Sequence, residues 1–121
     1  MNSNLAGLLE SSATRFPDSP GIIFEGKKIT YKELDRSAGQ VARALQKSGV
    51  SKGDRVAIHL PNCPEFVVTY FGILKAGATV IPINVMLKQH EIEYLLSDSG
   101  SKVLFTLNEF LAEAAPATKE I

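Results

Sequence analysis

The chain has 121 residues, 45% of them hydrophobic and 21% charged, which suits one globular domain with a buried core, and nothing in the composition marks it as disordered. Thirteen Lys and Arg cancel thirteen Asp and Glu, and no basic cluster interleaves with aromatics, so composition gives no drive toward nucleic acid or an anionic membrane. One cysteine excludes an internal disulfide and suits a reducing compartment; with no signal-peptide pattern and no apolar run of spanning length, the expectation is a cytoplasmic protein without a transmembrane segment.

In chain order, Leu5, Leu8, Leu9, Ser12, Ala13 and Phe16 fall at helical offsets, with Ser3 or Asn4 as cap and Pro17 as stop. Gly21 to Phe24 and Lys28 to Thr30, around Glu25-Gly26-Lys27, predict a hairpin. Thr30 and Glu33 have capping-box spacing, and Tyr31, Leu34, Ala38, Val41, Ala42 and Leu45 carry a helix to about Ser48, ended by Gly49. Arg55 to Leu60 is apolar apart from His59, as a strand buried on both faces is. Pro61 stops it, and Asn62 is expected to cap a helix with Pro64 in the first turn and Glu65 reaching back to the cap.

Along that helix Phe66, Val67, Tyr70, Phe71 and Leu74 predict one apolar face, which Val68 and Ile73 widen, while Gly72 marks a close approach by another element. Gly77 suits a left-handed helix end, and Thr79 to Ile83 is a second β-branched run. Val85 to Lys88 reads as a loop, Ile92, Leu95 and Leu96 as one face of a helix closed by Gly100, and Lys102 to Thr106 as a third strand. Asn108 is expected to cap a last short segment through Phe110 and Leu111. The fold class is therefore α/β: a parallel, three-layer half-sheet of strand-helix repeats with right-handed crossovers and a small N-terminal β-hairpin.

Several stretches invite a functional reading. Gly21 to Lys28, GIIFEGKK, has the glycine and lysine spacing of a phosphate loop. However, a strand-like Ile-Ile-Phe lies between its glycines and Lys28 stands where the magnesium-binding hydroxyl belongs, so the hairpin reading is preferred. His59 reads as a hydrogen-bonded strand-end histidine, because no ligand partner sits at metal spacing and His90 lies on another element. Cys63, in a helical first turn, is expected to have its thiolate favoured by the helix dipole, but no nearby histidine serves as base. Asn62, Asn84 and Asn108 each follow a strand at the edge where parallel sheets bind ligands; capping accounts for Asn62 and Asn108, leaving Asn84 as the better pocket candidate.

The ordered string Gly53, Asp54, Val56, Pro61, Asn62, Glu65, Phe66, Lys75 to Ala78, Pro82 and Asn84 resembles the N-terminal signature of the AMP-forming acyl-CoA synthetases and other adenylate-forming ligases. Thr30, Tyr31, Glu33 and Leu34 upstream, and Glu91, Tyr94, Leu95, Asp98, Ser99 and Lys102 downstream, extend it over nearly the whole chain. The resemblance implies that residues 1–121 are the first part of a larger N-terminal domain. It also implies that the parent protein activates a carboxylic acid, fatty acids ahead of aryl acids, with ATP and Mg, forming an acyl-adenylate and then a thioester with coenzyme A.

The family's Ser/Thr/Gly-rich phosphate loop, Thr-Glu pair, ribose-binding Asp and C-terminal Lys have no counterpart here, so no catalytic, cofactor-binding or metal residue is assigned. ATP, Mg and coenzyme A are expected to bind the parent and not this stretch. Expected partners are the acid substrate, coenzyme A, the remainder of the chain and, through uncovered apolar surface, a second copy; nucleic acid is not among them. The alternatives are a self-sufficient α/β binding module and the opening of a peptide-synthetase adenylation domain.

Overall fold

The computed structural model describes residues 5–107 and 110–118. The elements follow in the order α1 (Ala6–Arg15), β1 (Pro20–Phe24), β2 (Lys27–Thr30), α2 (Tyr31–Lys47), β3 (Arg55–His59), α3 (Pro64–Lys75), β4 (Thr79–Pro82), α4 (Gln89–Ser99), β5 (Ser101–Thr106) and α5 (Leu111–Ala117). The first two strands pair antiparallel as a separate hairpin, and the other three form a parallel sheet in the order β4-β3-β5. Both expectations drawn from the sequence are met.

The hairpin closes through Glu25 and Gly26, both at positive φ (49° and 80°), as a two-residue primed turn requires. α2 begins with the expected reciprocal cap: the Glu33 N–H donates to Thr30 Oγ1 at 3.1 Å, and the Thr30 N–H donates to Glu33 Oε1 at 3.5 Å. In the main sheet Ala57 stands opposite Ile81 on one side and Leu104 on the other, so β3 is the central strand and is buried from Val56 to His59. Alternate residues of β3 serve opposite layers. Val56, Ile58 and Leu60 pack with Leu45 of α2 and Ile73 of α3, whereas Ala57 packs with Ile92 and Leu96 of α4 and Ala117 of α5. Because α3 and α4 cross on opposite faces, the strand order reverses between β3 and β5, which makes that junction the topological switch point of the sheet.

Three expectations need correction. α3 does not bury the Phe66, Val67, Tyr70, Phe71, Leu74 face; it is wedged between α2 and the sheet, so Thr69, Gly72 and Ile73 lie deepest and the larger side chains flank them half-buried. Asn62 is not its cap. Pro64 takes the first helical position, for which its fixed φ is suited, and so Cys63 becomes the cap residue, extended at φ −148° and making no side-chain capping bond of normal geometry. α1 presents only Ala6 and Leu9 to the core, leaving Leu5, Leu8 and Phe16 about half exposed or more. Its proposed caps Ser3 and Asn4 lie outside the described residues. The close approach inferred at Gly72 is real: a Cβ there would meet Val41 at 2.5 Å. A salt-bridge cluster that the sequence reading did not anticipate ties the three N-terminal helices together, with Lys75 Nζ 2.6 Å from Asp35 Oδ1 and 3.3 Å from Glu10 Oε1.

Candidate functional site at the carboxyl edge of the sheet

Parallel strands leave their helix-bound connections at one edge, and here two of those connections run side by side. β3 passes into Leu60, Pro61 and Asn62, and β4 into Ile83, Asn84 and Val85; the Ile83 N–H donates to the Ile58 carbonyl at 2.8 Å and holds the two exits together. Between them lies a pocket of about 400 Å³, walled by Leu60, Asn62, Phe66, Asn84 and Val85. Asn84 thus lines a pocket as expected, and Asn62 joins it. Asn84 also stabilises its own loop, because its Oδ1 accepts from the Met86 N–H at 2.8 Å in an Asx turn. Asn108 lies outside the described residues.

His59 sits at the switch point, fully buried. Its Nδ1 is 2.8 Å from Thr106 Oγ1 on β5, and its ring packs against Phe110 at 5.2 Å between centroids. This is the hydrogen-bonded strand-end histidine read from the sequence. Nε2, however, makes no hydrogen bond of normal geometry among the described residues. Burial pushes the imidazole below its ordinary pKa, opposed by the backbone of Val85, so the ring is neutral near pH 7.

Cys63 corrects another expectation. Burial, with a further contribution from Glu65, raises its thiol pKa, and the amide of Phe66 only partly opposes this. Desolvation and a neighbouring carboxylate outweigh the helix terminus, so the thiol stays protonated at neutral pH. The Gly21 to Lys28 stretch is the hairpin, with Lys27 and Lys28 exposed on its second strand. His90 lies exposed on α4 beside an apolar hollow of about 400 Å³ with Leu87, Tyr94 and Leu95. Among the described residues no three His, Cys, Asp or Glu side chains converge at metal-binding distances, and no helix is long and apolar enough to cross a membrane.

Sequence reasoning placed His59 and Asn84 correctly but missed their neighbours. Thr106 and Phe110 become visible only once the β3–β5 register sets His59 opposite Thr106. Residues 9–121 match the family described as AMP-binding enzyme. The chain belongs to that family. The chain is 43% identical over 113 residues to a long-chain-fatty-acid–CoA ligase of Bacillus subtilis (strain 168), a match covering 93% of the chain and 20% of the relative. It is 39% identical over 99 residues to surfactin synthase subunit 3 of the same organism, covering 82% of the chain and 8% of the relative. Among solved structures, a Mycobacterium tuberculosis fatty acyl CoA synthetase superposes with a TM-score of 0.85 and 34% identity, over 98% of this chain and 23% of that one. The chain thus spans about a fifth of the length of the fatty-acid ligase it matches.

Proposed function

We propose that the parent protein is an AMP-forming acid–thiol ligase. It activates a carboxylic acid with MgATP to an acyl-adenylate, releases pyrophosphate and transfers the acyl group to coenzyme A. A fatty acid is the proposed substrate, and the observation that carries this is the 43% identity to a long-chain-fatty-acid–CoA ligase across 93% of the chain. Residues 1–121 then form the N-terminal portion of the large N-terminal domain, and the rest of that domain is their first partner.

The described residues do not themselves fit MgATP. A triphosphate needs a cradle of backbone amides with a lysine or arginine, and the one lookalike is a hairpin with its lysines turned to solvent. No step of the reaction is therefore assigned to a residue here; the chain supplies the sheet and its carboxyl edge. The similarity to surfactin synthase subunit 3 favours a second reading within the same chemistry, an adenylation unit that loads an amino acid onto a carrier. The experiment is acid-dependent exchange of labelled pyrophosphate into ATP by the full-length parent, with fatty acids, aryl acids and amino acids offered separately. Exchange driven by fatty acids, followed by thioester formation with coenzyme A, supports the proposal; exchange driven only by amino acids supports the second reading.

A further inference from the structure

Among the described residues the main sheet has two open edges, one on β4 and one on β5, since each of these strands pairs only with β3. The two edges are not alike. The Thr79 and Ile83 amides donate to the Asp54 and Ile58 carbonyls beside them, and successive residues of a strand turn their amides to opposite sides, so Pro82 falls on the open side of β4. A proline there removes a donor, one of the devices that keep an edge strand from pairing further. β4 is also the shorter strand, four residues against six. β5 has no proline, and its one charge, Lys102, lies near its start and is tied to Asp54 at 3.1 Å. Beyond it, Val103 and Phe105 reach into the α3 layer and Leu104 into the α4 layer, the two-sided apolar pattern of an interior parallel strand, yet all three are only half-buried.

The helix layers decide which edge the chain goes on to use. From β3 to β4 it moves toward one side of the sheet with α3 on one face, and from β4 to β5 it moves toward the other side with α4 on the opposite face. Reversing both direction and face preserves the hand, and crossovers between parallel strands are right-handed in about 98% of cases. α5 leaves β5 in the layer of α4, where Ala117 is buried with Ile92 and Leu96. A helix in that layer, turning with the same hand, carries the chain onward in the direction from β4 to β5 and so away from β3. We propose that the open edge of β5 is the docking surface for the parent's own next strand, the first after α5, laid parallel to β5 on the side away from β3. Its side chains complete the burial of Val103, Leu104 and Phe105. The proposal rests on the reading that residues 1–121 belong to a longer domain, and it holds whichever acid the parent activates.

The test uses the full-length parent, with backbone amide exchange resolved residue by residue along 102–106 and a crystal structure to give the order and direction of the strands. Neighbouring amides of β5 point alternately toward β3 and away from it, so a strand paired on one side protects every second amide and a strand paired on both sides protects all of them. The expected result is continuous protection from 103 to 106, with each amide slowed by about a thousandfold or more relative to an open loop, as for core strands that open only with the whole domain. The crystal structure should show the first strand after α5 beside β5 and parallel to it. Alternate amides of 103–106 exchanging at the rate of an open loop overturn the proposal, and so does a next strand that lies beside β4 or runs antiparallel to β5. A parent that lacks acid-dependent pyrophosphate exchange but has β5 paired on both sides fails the functional reading alone and supports this one.

Discussion

Gly72 gives the sharpest check on the packing. It lies where α3 meets α2, and a methyl group added there would fall 2.5 Å from both Cβ and Cγ1 of Val41 and 3.0 Å from the Ala38 carbonyl oxygen. None of these atoms yields easily: one is backbone, and a β-branched valine in a helix has essentially one χ1 rotamer. Overpacking of this kind costs about 1–3 kcal/mol, and the backbone contact argues for the upper part of that range. Replacing a mid-helix glycine by alanine returns about 1 kcal/mol of helix propensity. The net expectation for Gly72→Ala is a loss of about 1–2 kcal/mol, or roughly 4–10 °C in thermal midpoint at this chain length.

Gly39, in the middle of α2, is the internal control. The nearest atom to its virtual Cβ is the tip of Arg43 at 3.5 Å, so Gly39→Ala should gain about 0.5–1 kcal/mol. Urea denaturation monitored by circular dichroism measures both, and Val41→Ala added to Gly72→Ala should recover part of the loss as a coupling energy. Equal stabilisation by the two glycine replacements would refute the proposed α2–α3 contact.

Other expectations follow from the charges and caps. Lys75→Met leaves the Asp35 and Glu10 carboxylates without their cation and should cost about 1–2 kcal/mol, while Glu10→Gln, at the more exposed end of the cluster, should cost under about 0.5 kcal/mol; denaturation at low and high salt separates them. Thr30→Ala removes the cap of α2 and should lower stability by about 1 kcal/mol in the same assay. The folded-state pKa of His59 lies below its ordinary 6.5, so the unfolded chain takes up the proton first; the associated stability is complete above that value and falls as pH drops below it. Denaturation midpoints between pH 7.5 and 5 should therefore decline, and decline less in His59→Leu. The half-exposed Leu5, Leu8, Phe16 and Ile23 predict concentration-dependent association of the isolated chain; sedimentation should show it, and Leu8→Lys with Ile23→Lys should reduce it.

Much of this architecture was legible before any coordinates. An apolar strand, a proline stop, an amphipathic helix and a second β-branched run can be read locally, and parallel pairing follows because a helical crossover joins the strands. Thr30 and Glu33 announced their cap for the same reason: both partners lie within one turn. What the sequence hid is what depends on distant neighbours. The deep face of α3 is set by two layers pressing on it, so Thr69 and Gly72 outrank Phe66 and Leu74 in burial despite their composition. The protonation preference of Cys63 turned on desolvation and on Glu65, which a helix-terminus rule ignores. The environment of His59 depended on a register with β5 some 47 residues away in sequence.

The central claim is that this chain belongs to an adenylate-forming ligase and contributes its sheet rather than its nucleotide chemistry. Pyrophosphate exchange into ATP, measured with a saturating fatty acid on the 121-residue chain and on the full-length parent in parallel, tests it most directly. The account predicts robust exchange by the parent and none above background by the chain, with no heat of MgATP binding to the chain in calorimetry. Exchange or MgATP binding by the chain alone would contradict it.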